Sequence, residues 1–233
     1  MKRIVYIITV SCFLVSTSLF AQKSFTGIVK MKIDVEGTDD GNIKAMYPMN
    51  VEMSVLGNKT KTFMNHQGLG VTQIQDGDKK TSTTVLDMTA IGYGIYYRTD
   101  TVKKSATTKV ECTPDKKDTK NIAGFLCYKQ TCVTTDLETD ETTTMVCYMS
   151  DDFMPNFKSA DDSPITGFPL YSLLPVKNKQ LDKTYTTVME VTEVVPSKKV
   201  KAVDFLLPEK AVPFSEMPDE LKAMMGAGNE EDE

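Results

Sequence analysis

The chain has 233 residues, with 27 Lys plus Arg against 32 Asp plus Glu, a formal charge of −5, one histidine and no tryptophan. An acidic balance argues against charge-driven binding to nucleic acid or to an anionic membrane surface. The lone histidine and the absence of G-x-S-x-G, H-E-x-x-H and Gly-rich phosphate loops argue against the common hydrolase and nucleotide chemistries.

The chain opens MKRIVYIITVSCFLVSTSLFAQ: Lys2 and Arg3, an apolar run over 4–20, then the small Ala21 before the polar Gln22. This layout predicts a secretory signal peptide over 1–21, cut between Ala21 and Gln22, and an exported product, periplasmic or extracellular. The run is at the short limit for a membrane anchor and carries several Ser and Thr. Cys12 lacks the leucine usual before a lipidated cysteine, so no lipid anchor is expected. Cleavage removes Lys2 and Arg3 and takes the charge from −5 to −7. No further apolar run long enough to span a membrane follows, so the mature chain is expected to carry no integral span. Residues 22–225 are read as one β domain, and the acidic GAGNEEDE of 226–233 as a disordered tail.

In FTGIVKMKIDVE (25–36), Phe25, Val29, Met31, Ile33 and Val35 fall on one face, while Lys30, Lys32, Asp34 and Glu36 fall on the other. Period two predicts a half-buried strand. TDDGN (38–42) ends it, and Val51, Met53 and Val55 form the next. LGNKT turns into KTKTFM (59–64), and the DGD in 71–88 predicts a hairpin. AIGYGIYYRT (90–99) reads as a strand, with Ile91, Tyr93, Ile95 and Tyr97 on one face. TTKVEC (107–112) and GFLCYKQTCVTT (124–135) read as strands around a turn at PDKKDTK, and TTTMVCYM (142–149) returns after DLETDE. Residues 150–183, with four prolines, are the longest irregular stretch; TYTTVMEVTEVV (184–195) is a late strand. Finally SEMPDELKAMM (215–225) reads as a helix with an apolar stripe of Met217, Leu221, Met224 and Met225. Nine or ten strands and one helix predict a mainly β fold: a curved antiparallel sheet or incomplete barrel covered by the C-terminal helix.

Cys112, Cys127, Cys132 and Cys147 remain in the mature chain. An even count in an exported protein favours disulfides. Cys127 and Cys132 do not bond to each other if their strand is real: five strand residues span about 16 Å, and a disulfide needs Cα atoms within about 7 Å. Folding about PDKKDTK and DLETDE places Cys112 opposite Cys127 and Cys132 opposite Cys147, which is the expected pairing. Spacing alone fixes no connectivity, and four reduced, buried cysteines are the alternative. No metal site is expected, since C-x-x-C ligand pairs are absent and His66 is isolated. The acidic pairs at 39–40, 151–152 and 161–162 read as solvated turns.

Several of these segments together resemble a known family. TKNIAGFLCYKQTCV (119–133), TGFPLYSLL (166–174) and KAVDFLLPEKAVPFSEMPDEL (201–221) are similar to segments of a family of secreted Bacteroidetes proteins of unknown function, related to the GLPGLI proteins. The resemblance implies a curved sheet distantly akin to the LolA/LolB lipoprotein carriers and carries over no catalytic residue. Together with the methionine-rich strand faces, it leads to the expected function. This is a non-enzymatic carrier, without a cofactor, of a lipid, acyl chain or lipoprotein on the concave face of the sheet. Tyr93, Ile95, Tyr97, Met217, Leu221 and Met224 are its candidate contacts. The alternative is a structural or protein-interaction module of the cell envelope with no small ligand.

Overall fold

The computed structural model describes residues 24–45, 47, 49–66, 69–102, 106–160, 165, 167–178 and 183–224. Ala21, Gln22 and the acidic tail lie outside the described residues. Twelve strands form one sheet: β1 (Thr26–Glu36), β2 (Met49–Leu56), β3 (Lys59–His66), β4 (Leu69–Asp76), β5 (Thr81–Asp87), β6 (Ile95–Thr101), β7 (Thr108–Ile122), β8 (Phe125–Asp136), β9 (Thr142–Met149), β10 (Pro169–Asn178), β11 (Lys183–Pro196) and β12 (Ala211–Pro213). Among the described residues, α-helix is confined to α1 (Gly41–Ala45) and α2 (Asp219–Met224). The fold is mainly β, as expected, and α2, six residues at the end of the described part, buries Leu221 against Leu86, Met88 and Tyr96.

The strand order is β12-β6-β5-β4-β3-β2-β1-β11-β10-β9-β8-β7, and every pair is antiparallel except β12 with β6. β1 lies inside the sheet. β2 to β6 step outward from one of its edges, and β11 back to β7 from the other. β6 and β7 therefore stand ten strand positions apart, roughly 48 Å on a flat sheet. Only residues 102–107 join them, and a chain of that length reaches at most about 25 Å. The sheet must curl until its two ends approach, while the strand order leaves it open rather than closed into a barrel.

β1 behaves as its alternation requires. Val29 and Met31 are buried, and Lys30 and Lys32 are exposed. Register sets Val29 opposite Met53, and Met31 opposite Val51 on one side and Val191 on the other. Each such side chain contributes about 1.5–3 kcal/mol on burial. Thr192 is an extra residue at a bulge in β11, and its hydroxyl donates to the Lys30 carbonyl at 3.2 Å. α1 starts where Asp40 caps it, its carboxylate accepting from the Asn42 and Ile43 N–H groups at 2.9 and 3.3 Å.

The β7–β8 hairpin corrects the expected turn and the expected disulfides. PDKKDTK is a bulge within β7, where pairing passes from Asp115 opposite Lys129 to Thr119 opposite Tyr128. The chain reverses instead at Ala123 and Gly124, both with positive φ, 50° and 88°, the sign pattern of a two-residue hairpin turn. The shifted axis sets Cys112 opposite Cys132, and these two are bonded. Across the next hairpin Cys132 faces Met145, and Cys147 faces Gln130. Neither Cys112–Cys127 nor Cys132–Cys147 forms. Cys127 and Cys147 are free and buried, on opposite faces of the sheet.

Burial pushes the Cys147 thiol up to about 11 and also raises that of Cys127. An unfolded cysteine loses its proton near pH 8.5, so at higher pH the unfolded chain binds fewer protons than the folded one. Stability is therefore full below about pH 8.5 and declines as pH climbs toward 11, by about 3 kcal/mol for Cys147. Urea melts across this range should show the loss, and Cys147→Ala should flatten much of it. An unchanged slope in the variant would assign the loss to other groups.

Candidate functional site

A ligand-sized cleft lies where the irregular 150–160 segment meets the β2–β3 turn. After β9 the chain bends sharply: the Asp152 N–H donates to Ser150 Oγ at 3.2 Å, and Met154 takes a positive φ of 46°. The Phe157 N–H then donates to the Met154 carbonyl at 3.0 Å. Gly167, with φ 93°, passes this bend so closely that a Cβ there would lie 3.3 Å from the Pro155 carbonyl oxygen. Asn58 ties three segments together. Its side-chain carbonyl accepts the Lys158 N–H at 3.2 Å, its amide donates to Asp78 at 2.8 Å, and its backbone carbonyl accepts the Gly77 N–H at 2.9 Å. A Cβ on Gly77 would overlap the Lys158 carbonyl, so the two loops touch through backbone.

Inside this frame Phe153 is 3% exposed. Its ring centroid lies 5.2 Å from Phe25, 5.0 Å from Phe125 and 5.8 Å from Phe168, and Phe157 lies 5.6 Å from Phe168. Most of these contacts are edge-to-face, the arrangement the ring quadrupoles favour. Above them opens a cleft of about 290 Å³. Phe25, Phe153, Met154, Pro155 and Phe157 line it, with Asn58, Asp152 and Asn156 as polar groups. The volume is at the lower edge of the small-molecule range, about 300 Å³.

A second cluster lies on β9 and β10, where the far part of β7 bends back. Lys120 Nζ sits 4.4 Å from the Tyr148 ring and 4.8 Å from the Tyr171 ring. The Tyr148 hydroxyl donates to Asp118 at 3.0 Å, and Lys129 pairs with the same carboxylate at 3.4 Å. Burial, and then Asp118, raise the Tyr148 phenol; burial, and then Glu36 and Glu190, raise that of Tyr171. Both phenols stay protonated at neutral pH, so the cluster serves as a clamp between β7 and its neighbours.

The residues expected beneath the terminal helix do not assemble as one surface. Gly92 has φ 90°, and the Ile91 and Tyr93 N–H groups both turn back to the Met88 carbonyl. The strand therefore begins only at Ile95, leaving Tyr93 in the preceding loop and 44% exposed. Met217 and Leu221 are buried, but against Leu86, Met88 and Tyr96. Ile95 and Tyr97 alternate to the other face of β6. Leu221 is fully buried and Met217 is 4% exposed, which makes this contact a packed core. The Met224 and His66 side chains lie outside the described residues. No group of three or more His, Cys, Asp or Glu is placed to hold a metal among the described residues.

The aromatic cleft was not foreseen. Its signal was available: Phe153, Phe157 and Phe168 crowd a proline-rich stretch with no period. Aromatic rings there follow no strand or helix alternation, and Phe153 and Phe168 join the core of β1, β2 and β11 from outside the strands.

No helix among the described residues is long and apolar enough to cross a membrane. No family model matches the chain, and no curated protein matches it. Among solved structures it is similar to a DUF1329 family protein from Desulfovibrio piger, at 9% identity and a TM-score of 0.25, over 79% of this chain and 91% of that one. An overlap this loose does not define a shared fold.

Proposed function

We propose that the protein is an exported, non-enzymatic binder of an apolar ligand, with the cleft above Phe153 as its seat. The observation that carries this is an apolar opening of about 290 Å³ floored by a fixed aromatic cluster and edged by Asn58, Asp152 and Asn156. The size suits a short acyl chain or a small ring system. Burial would drive binding at about 25 cal/mol per Å² of apolar surface. The signal-like leader and the resemblance to the secreted GLPGLI-related and LolA-like proteins support export and carriage.

In a thermal-shift panel of medium-chain alkanoates and alkanols, at least one should raise the melting temperature. Phe157→Ala, which removes a wall, should weaken that ligand about tenfold, and added salt should change little because the driving force is apolar. No shift across the panel, together with no bound molecule in native mass spectra of protein from its own cells, would falsify this reading. The second reading, an envelope interaction module, is favoured by Val203 and Leu206, 63% and 64% exposed. They flank Asp204, whose carbonyl accepts from Lys61 on β3 at 2.8 Å.

A further inference from the structure

β7 is the last strand of the open sheet, and its backbone decides what can join it. In an antiparallel ladder the members of a non-hydrogen-bonded pair turn their N–H and C=O away from the shared side, and their Cα atoms lie close, about 4.5 Å. Cys112 and Cys132 are such a pair, with Cα atoms 4.0 Å apart. The Thr107 carbonyl accepts the Leu137 N–H at 2.7 Å, which places an odd-numbered residue's group on the β8 side and agrees with that parity. Thr108, Val110 and Cys112 therefore present their backbone donors and acceptors at the free edge. Pro114, next in that series, has no N–H to present, and the bulge follows it. The edge able to accept another strand is residues 108–112.

We propose that this edge pairs with the same edge of a second copy of the chain, antiparallel about Val110. Centred there, Val110 faces the partner's Val110, and Thr108 faces the partner's Cys112. Every outward N–H and C=O of these residues then finds its complement. The closer-spaced pairs between them set Lys109 against the partner's Glu111, and Glu111 against the partner's Lys109. These two side chains are 58% and 70% exposed and stand 3.0 Å apart within one strand. A dimer continues them into an alternating array of opposite charges. Other registers of the same parity centred within 109–112 fail. Centring on Lys109 or Glu111 sets like charges face to face, and centring on Cys112 sets Val110 against Pro114, which lacks the N–H. A two-fold contact needs one self-complementary surface, and this edge is one.

Sedimentation of the mature protein over a dilution series should show a monomer–dimer equilibrium. Val110→Pro removes the central outward N–H while leaving the β8 ladder intact, and should abolish the dimer. Lys109→Glu and Glu111→Lys should each raise the dissociation constant about tenfold, since two symmetric pairs turn repulsive. Combining them in one chain should restore wild-type association. Circular dichroism melts accompany each variant; a charge variant that melts as wild type and still loses the dimer supports the proposal. A wild type that stays monomeric, charge variants that dimerise unchanged, or a double variant that fails to recover would each overturn it. Capture of an unrelated extended peptide by a monomeric wild type would overturn it in favour of that occupant.

Discussion

Phe153→Ala lowers the unfolding free energy by about 3–5 kcal/mol and abolishes apolar-probe binding in the cleft. The ring touches Phe25, ahead of β1, Phe125 at the start of β8 and Phe168, ahead of β10. Its removal takes away the transfer energy of a buried aromatic and leaves a void among three segments that cannot close on it freely. Asn58 and the Gly77–Lys158 backbone contact hold the loop at its other end. Phe153→Leu refills much of the void and should cost less than half as much. Urea unfolding followed by far-ultraviolet circular dichroism measures both, with the denaturant slope unchanged. A loss below about 1 kcal/mol for the alanine variant would mean that the 150–160 segment is not part of the core.

Removing the disulfide with the Cys112→Ala/Cys132→Ala pair costs about 3 kcal/mol, the chain-entropy value for a closed loop of this size. The bridge ties the edge strand to the sheet, and Cys132 is 1% exposed, so packing adds to the effect. Wild type melted with a reductant should fall toward the variant, and the variant should ignore the reductant. Thiol counting provides an independent check. A chain expressed from Gln22 onward should show no reactive thiol when folded, two when unfolded without reductant, and four after reduction. Four thiols before reduction would remove the bridge from the account.

Most of the strand content was legible, because Val29, Met31, Val51, Met53 and Val55 alternate with polar residues and only a half-buried strand rewards that pattern. The hairpin axes were not. PDKKDTK carries a proline and two aspartates, which favour turns, but contains a bulge in an edge strand, where Pro114 is tolerated. The real reversal uses Ala-Gly, a weaker signal than Asn-Gly because Ala123 must accept positive φ. At DLETDE the register differs from a fold about 139/140 by two residues, which keeps Cys147 on its face and changes its partner to Gln130. Gly92 and Gly94 fit the alternation of a strand over 90–99, whereas the chain places them in a loop ahead of Ile95, and Tyr96 is the buried tyrosine of β6. The cleft depends on contacts among residues 25, 58, 77, 153–158 and 168, and no local pattern encodes distances of that kind in sequence.

β1 pairs with β11, joining Gly27 to Pro196, and this sets a timetable for a chain that is made N-terminus first. The β2–β6 and β7–β11 runs consist of neighbours in sequence and can form as they emerge, since short loops close at little entropic cost. β1 emerges before all of them and waits for a strand that arrives almost last. During that interval one of its edges has no partner, and Val29 and Met31 have only the β2 side to shelter them. A holdase would find its client site in the first strand to appear, for nearly the whole of synthesis. Folding would then finish in one late step, when β11 docks and the two halves become one sheet.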